Sequence, residues 1–124
     1  MKCGVHMMIR VALSIAGLAP SLALAQGHDD GKQVYAQCSA CHSVDGSTGV
    51  GPSLSGIVGR ESGSAAGFRY SRAMKGSSIV WDEKSLDAFI ADPQKVVPGN
   101  VMPFAGVADP KQRADLIAYL QTLK

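Results

Sequence analysis

Cys38 and Cys41 stand three positions apart in the stretch QCSACHSVDG, and His42 follows directly. The other cysteine is Cys3, near the start. Four chemistries use two thiols and an imidazole at such spacing. A disulfide suits an oxidising compartment, although closing so short a loop constrains the unfolded chain little. A thioredoxin-like redox pair needs a strand–helix–strand setting, and no alternating apolar run of useful length is present. Zinc asks for about four ligands, whereas beyond residue 25 the Cys and His residues are Cys38, Cys41, His28 and His42 alone. Finally, Cys-x-x-Cys-His is the attachment signature of a c-type haem. Two thiols at a fixed separation can add to two vinyl groups on one porphyrin edge. The next residue then swings under the ring to bring its imidazole to iron. Covalent haem at Cys38 and Cys41, with His42 as metal ligand, is the favoured reading; a disulfide is the alternative that stays open.

An iron held by one imidazole has a further position, and function turns on what fills it. Beyond residue 25 the methionines are Met74 and Met102, and the other histidine, His28, lies near the start of that segment. Met102 sits in VVPGNVMPFAG, between a Pro98-Gly99 turn and Pro103. Such a loop can hold one side chain in place without a helix around it. Thioether sulfur is a soft ligand, and Met/His ligation raises the reduction potential of haem iron. Met102 is therefore the expected second ligand, with a gap-filling core methionine as the alternative. Met74 is expected to pack beside the haem.

Elements must position these groups. The chain opens with Lys2, His6 and Arg10, continues into the apolar VALSIAGLAPSLALA, and reaches Ala23-Leu24-Ala25. That pattern reads as a secretory signal peptide over residues 1–25, cleaved before Gln26. The apolar run is short for a span of about 20 residues, and an uncleaved anchor is the rival. A start at Met8 would also leave a complete signal. Cleavage removes Lys2 and Arg10, so the formal charge of +2 falls to about zero over residues 26–124. That balance excludes a basic nucleic-acid binder.

Residues 26–124 read as one all-α domain of three main helices and long loops. The first helix is expected from about Asp30 to Cys38, capped by Asp29 or Asp30, with Gly31, Val34, Tyr35 and Cys38 on one face. The second is expected from about Glu83 to Asp92, capped by Asp82 and stopped by Pro93, with Leu86, Phe89 and Ile90 as its stripe. Asp109-Pro110 starts the third, along which Leu116, Tyr119, Leu120 and Leu123 share a face. A short helical turn is expected near Ser71–Lys75. So small a domain with Gly- and Ser-rich loops buries little apolar surface alone and needs a staple. A covalently fixed haem is that staple, supplying most of the core.

GKQVYAQCSACH, GVGPSLSGIVGR, GFRYSRAM, VPGNVMPFAG and RADLIAYL follow one another in the order found in class I c-type cytochromes, which this sequence resembles from Gly31 to its end. The resemblance implies one haem c with its iron, held in the fold described above, the first and last helices crossing. It implies that Gly31 lets Tyr119 approach the first helix beside Tyr35 and Leu116. It implies that the Pro52 carbonyl supports His42, that Leu54 and Phe104 line the haem pocket, and that Arg60, Tyr70, Trp81 and Asn100 hold the haem propionates. Phe89 departs from relatives that often carry tyrosine there, so no hydroxyl reaches the methionine sulfur. Gln37, Gln94 and Val101 stand where relatives often carry lysine, while Lys95 is kept; Arg69, Arg72 and Lys75 form a small basic run.

The resemblance further implies a monomeric, soluble periplasmic one-electron carrier in a respiratory or photosynthetic chain, not an enzyme. Its partners would be membrane or periplasmic redox proteins as donor and acceptor, with no small-molecule substrate. A dedicated haem subunit of a periplasmic dehydrogenase or oxidase is the alternative. A haem enzyme or gas sensor, needing an open iron, is a more distant one.

Overall fold

The structure, a computed structural model, describes residues 21–124. Most of the expected signal peptide, residues 1–20, lies outside the described residues. Among the described residues five helices follow in order: α1 Ser21–Tyr35, α2 Arg72–Lys75, α3 Glu83–Ala91, α4 Pro93–Val96 and α5 Pro110–Gln121. The fold is all-α. Its one extended pairing among the described residues is an isolated antiparallel bridge between Glu61 and Val80.

Helix α1 differs from expectation at both ends. Residues 22–26, LALAQ, are strong helix formers, and no proline follows them, so the helix runs through Asp29 and Asp30 instead of being capped there. It stops at Tyr35, short of Cys38. The chain then continues in helical turns: the Cys38 and Ser39 N–H groups donate to the Tyr35 carbonyl (2.8 and 3.1 Å), and those of Cys41 and His42 to the Cys38 carbonyl (3.1 and 2.9 Å). The cysteine pair thus rides on turns that project it past the helix end.

Helix α5 crosses α1 at Gly31. A Cβ on Gly31 would lie 2.0 Å from the Asp115 carbonyl oxygen and 2.7 Å from the Tyr119 Cβ, so hydrogen alone fits. Glycine within a helix costs about 0.5–1 kcal/mol relative to alanine. The close backbone approach repays it by burying Val34, Leu116, Ile117 and Leu120 at the seam. The rings of Tyr35 and Tyr119 pack at 5.6 Å.

Helix α3 is fixed by a reciprocal cap. The Ser85 N–H donates to the Asp82 carboxylate (2.7 Å) and the Asp82 N–H to the Ser85 hydroxyl (2.8 Å). Leu86 and Phe89 are its buried residues. Pro93 ends α3 as expected but also opens α4, which the sequence reading missed: proline is well suited to a first helical position, and Asp92 caps the new turn by accepting from the Lys95 N–H at 3.1 Å. Asp109 caps α5 by accepting from Lys111 and Gln112. Ser71 caps α2 by accepting from Met74. Arg113 ties α5 to α3 through Asp87 at 2.7 Å and to the Val107 and Ala108 carbonyls at 3.0 and 2.8 Å. No helix of the described residues is long and apolar enough to cross a membrane.

Candidate haem site

Helices α3 and α5 form one side of a cavity of about 280 Å³, and the loops before α2 and after α4 close over it. Every residue expected at the site lines this cavity: Cys38, Cys41, His42, Pro52, Leu54, Arg60, Tyr70, Trp81, Asn100, Met102 and Phe104. Met74, Phe68, Ile57, Leu86, Phe89 and Ile90 supply further apolar wall.

The imidazole of His42 is the most constrained group. Its Nδ1 lies 2.8 Å from the Pro52 carbonyl oxygen. A carbonyl can only accept, so Nδ1 carries the hydrogen and Nε2 presents its lone pair, as a metal ligand must. The bond sits inside a short ladder. On one side the Gly51 N–H donates to the Cys41 carbonyl (2.8 Å); on the other the Leu54 N–H donates to the Ser43 carbonyl (2.9 Å). The Tyr35 hydroxyl donates to the carbonyl of His42 itself. Burial, then the neighbouring Tyr119, pushes the Tyr35 phenol above its ordinary value, so it stays a donor at physiological pH. Gly51 is required by proximity: a Cβ there would lie 2.6 Å from His42 Cε1.

No disulfide joins Cys38 and Cys41, and both residues are half-buried. Burial, and secondarily Cys41, pushes the Cys38 thiol up. Met102 is half-buried, in a loop pinned from within. Asn100 donates both amide hydrogens to the Pro93 and Val97 carbonyls, each at 2.9 Å, and its Oδ1 accepts the Met102 N–H at 3.0 Å. This geometry therefore spends the amide hydrogens of Asn100 on the loop and keeps none for a propionate. Gln94, read in the sequence only as a missing lysine, clasps the same loop by donating to the Asn100 carbonyl (2.9 Å) and accepting the Gly99 N–H (3.2 Å).

Among the described residues, Arg60 is the one formally charged residue of the cavity wall. Its guanidinium donates to the Ser53 carbonyl at 2.8 Å and the Ser55 carbonyl at 3.3 Å. Two of five donors are so used, and the charge remains available to carboxylates. The Trp81 N–H donates to the Arg60 carbonyl at 2.9 Å, and the Gly59 N–H to the Trp81 carbonyl at 2.7 Å, which sets the two side chains on neighbouring segments. Tyr70 accepts the Ala65 N–H at 3.2 Å, leaving its own hydrogen for donation. The Trp81 and Phe89 rings pack at 5.0 Å, those of Phe68 and Tyr70 at 4.7 Å.

This donor set fits a haem. An apolar cavity has two thiols at its edge, an imidazole with Nε2 unmasked, a thioether, and one cation with a phenol hydrogen where acidic groups need partners. Sequence reasoning missed Gly51 and Ser53 as individual contributors and missed Phe68; the first two lie within GVGPSLSGIVGR, where a small residue on each side of Pro52 was the available signal.

An all-α chain folded around such a cavity defines a covalent haem protein, and comparison with known proteins agrees. The sequence profile of the Cytochrome c family matches residues 28–124. Cytochrome c2 iso-2 of Magnetospirillum fulvum is 47% identical over 95 residues, 76% of this chain and 99% of that protein. Cytochrome c2 of Rhodomicrobium vannielii is 43% identical over 118 residues, 92% of this chain and 94% of that protein. The structure of cytochrome cH from Methylobacterium extorquens superposes with a TM-score of 0.74 at 45% identity, covering 77% of this chain and 97% of the other. The chain belongs to the cytochrome c family, as a class I c-type cytochrome. It binds haem c covalently, with its iron, and carries electrons.

Proposed function

We propose that the protein is a soluble periplasmic one-electron shuttle. In this reading Cys38 and Cys41 carry the haem, and His42 and Met102 ligate its iron. The observation that bears most weight is the His42 Nδ1–H donated to the Pro52 carbonyl at 2.8 Å, because it leaves Nε2 as the ligating atom. The haem supplies a centre that changes charge by one electron. The protein's own residues do the rest. Asn100 and Gln94 hold the Met102 loop, Pro52 and Gly51 hold the imidazole, and Leu54, Phe89 and Phe104 keep the cavity apolar. Arg60, Tyr70 and Trp81 partner the propionates, since a buried carboxylate without partners is costly. Asn100 serves the site through the loop.

With both His42 and Met102 as ligands the iron would offer no position to a substrate, and the protein would be a carrier and not an enzyme. It works as a monomer between membrane or periplasmic redox proteins, giving and taking electrons through small, short-lived contacts. The N-terminal segment acts as a signal peptide, with residues 26–124 as the working domain.

The test is spectroscopic. Oxidised holoprotein should show a sulfur-to-iron absorption band that Met102→Ala abolishes while haem stays bound through a denaturing gel. Retention of the band in Met102→Ala would rule out this ligation. Mass spectrometry of periplasmic protein should show a chain beginning at Gln26 with one haem attached. Recovery in a fixed stoichiometric complex would instead favour a dedicated haem subunit over a shuttle.

A further inference from the structure

Ser53 is a buried polar residue, 8% exposed, at no expected ligand or propionate position. Its hydroxyl meets three backbone groups. It accepts the Gly46 N–H at 3.1 Å and the Ser55 N–H at 3.2 Å, and lies 3.4 Å from the Ser43 carbonyl, to which it donates. Its own carbonyl accepts from Arg60 at 2.8 Å. Ser43 directly follows His42, and Ser53 directly follows Pro52. The hydroxyl therefore joins the residues next to both partners of the 2.8 Å His42–Pro52 bond.

We infer that Ser53 is a positioning residue for His42, its buried hydroxyl fixing the Pro52–Ser53 segment and so setting how strongly the imidazole donates to iron. The inference rests on the ligation reading above. A firm hydrogen bond from Nδ1 to a carbonyl raises the basicity of Nε2 and fixes the ring's orientation. A more basic imidazole favours the ferric state. Without the Ser53 hydroxyl, the exposed Gly46 and the half-buried Ser55 each lose the acceptor of their N–H, and the turn loses the hydrogen bonds that hold it. The segment shifts to recover partners and the Pro52 carbonyl leaves its optimum. Arg60 then acts on both sides of the same segment, facing the cavity while holding the Ser53 carbonyl.

The experiment compares holoprotein of the wild type, Ser53→Ala and Ser53→Thr. Two quantities are read: the midpoint potential, and the hydrogen exchange of the His42 Nδ1–H by NMR. Ser53→Ala should raise the midpoint and speed that exchange about tenfold, the equilibrium change that one ordinary hydrogen bond represents. Ser53→Thr, which keeps the hydroxyl, should restore both toward wild type. Ser62→Ala is the matched control. It removes a buried hydroxyl that bonds Ser77 and the Ile79 N–H, away from His42, and should move neither readout. If Ser53→Ala yields no holoprotein, Arg60→Lys loosens the Ser53 carbonyl and should speed the same exchange. Unchanged midpoint and exchange in Ser53→Ala, or equal changes in Ser62→Ala, would overturn the inference. Absence of haem-shifted His42 ring resonances in the wild type would overturn the ligation reading itself, a separate outcome.

Discussion

At the residue scale, the Met102 side of the cavity carries its own experiment. Phe89 is buried, packs on Trp81 at 5.0 Å, and lines the same cavity as Met102. With Met102 as the proposed ligand, a hydroxyl added there would have the thioether sulfur as a candidate acceptor within the shared cavity. Donation to that sulfur draws electron density from iron and favours the ferrous state. Phe89→Tyr should therefore raise the midpoint by about 20–60 mV, the equivalent of one hydrogen bond of about 0.5–1.5 kcal/mol in a one-electron couple. Redox titration checks it, and an unchanged midpoint would show that the hydroxyl finds another partner. On the histidine side, Gly51→Ala places a methyl 2.6 Å from the imidazole. It should turn the ring off the Pro52 carbonyl and give a ferric spectrum with a substantial high-spin fraction. The cysteine pair, His42 and Met102 could be singled out in the sequence because few other side chains could do the chemistry proposed for them. Ser53 and Gln94 could not, because serine and glutamine occur on any surface, and only the fold reveals that their partners are the backbone of the loops that carry His42 and Met102.

At the scale of elements, the α1–α5 crossing and the α3 cap are sensitive to different agents. Gly31→Ala must push the helices apart, since its Cβ would meet the Asp115 carbonyl at 2.0 Å. Overpacking of this kind costs about 1–3 kcal/mol, which in a domain this size lowers Tm by roughly 5–20 °C. Thermal melts of the holoprotein followed by circular dichroism measure it. The α3 cap is electrostatic. Ser85, through its backbone N–H first and its side chain second, holds the Asp82 carboxyl below its ordinary value. A carboxyl depressed in the folded state contributes stability above its unfolded pKa, and loses it as pH falls through the folded value. Asp82→Asn should thus be less stable than wild type at neutral pH, with the gap closing below about pH 4. Denaturant titrations at several pH values test this; a gap independent of pH would mean the charge contributes nothing. The elements themselves were read well where a cap and an apolar stripe coincide, as at Asp82 and Asp109. The start of α1 was misread because capping residues were given more weight than the helix formers of residues 22–26 that precede them. Helix α4 was missed because proline was taken only as a stop.

At the scale of the molecule, charge decides how partners are met. The cavity mouth presents Val50 and Val101, 76% and 75% exposed, with Pro103 beside them, and among the described residues Arg60 is the one charged residue of the lining. Its guanidinium is turned to the Ser53 and Ser55 carbonyls. The exposed Arg69, Arg72 and Lys75 alternate with the lining residues Phe68, Tyr70, Ser71 and Met74 and give the rim one small basic run, but residues 26–124 carry about zero net charge. Long-range steering, which multiplies encounter rates for strongly charged pairs, has little to act on. Raising ionic strength from about 0.01 to 0.15 M shortens the screening length from roughly 30 to 8 Å. For a carrier ringed with lysines that change removes much of the attraction; here it removes almost none. The bimolecular rate of electron transfer with a physiological donor should fall by less than about threefold over this range. Replacing Val101 with lysine adds a charge to the rim and should make the rate salt-dependent toward an acidic partner. Stopped-flow measurements at matched driving force decide the matter, and a steep decline for the wild type would mean that the small basic run, and not the net charge, guides the encounter.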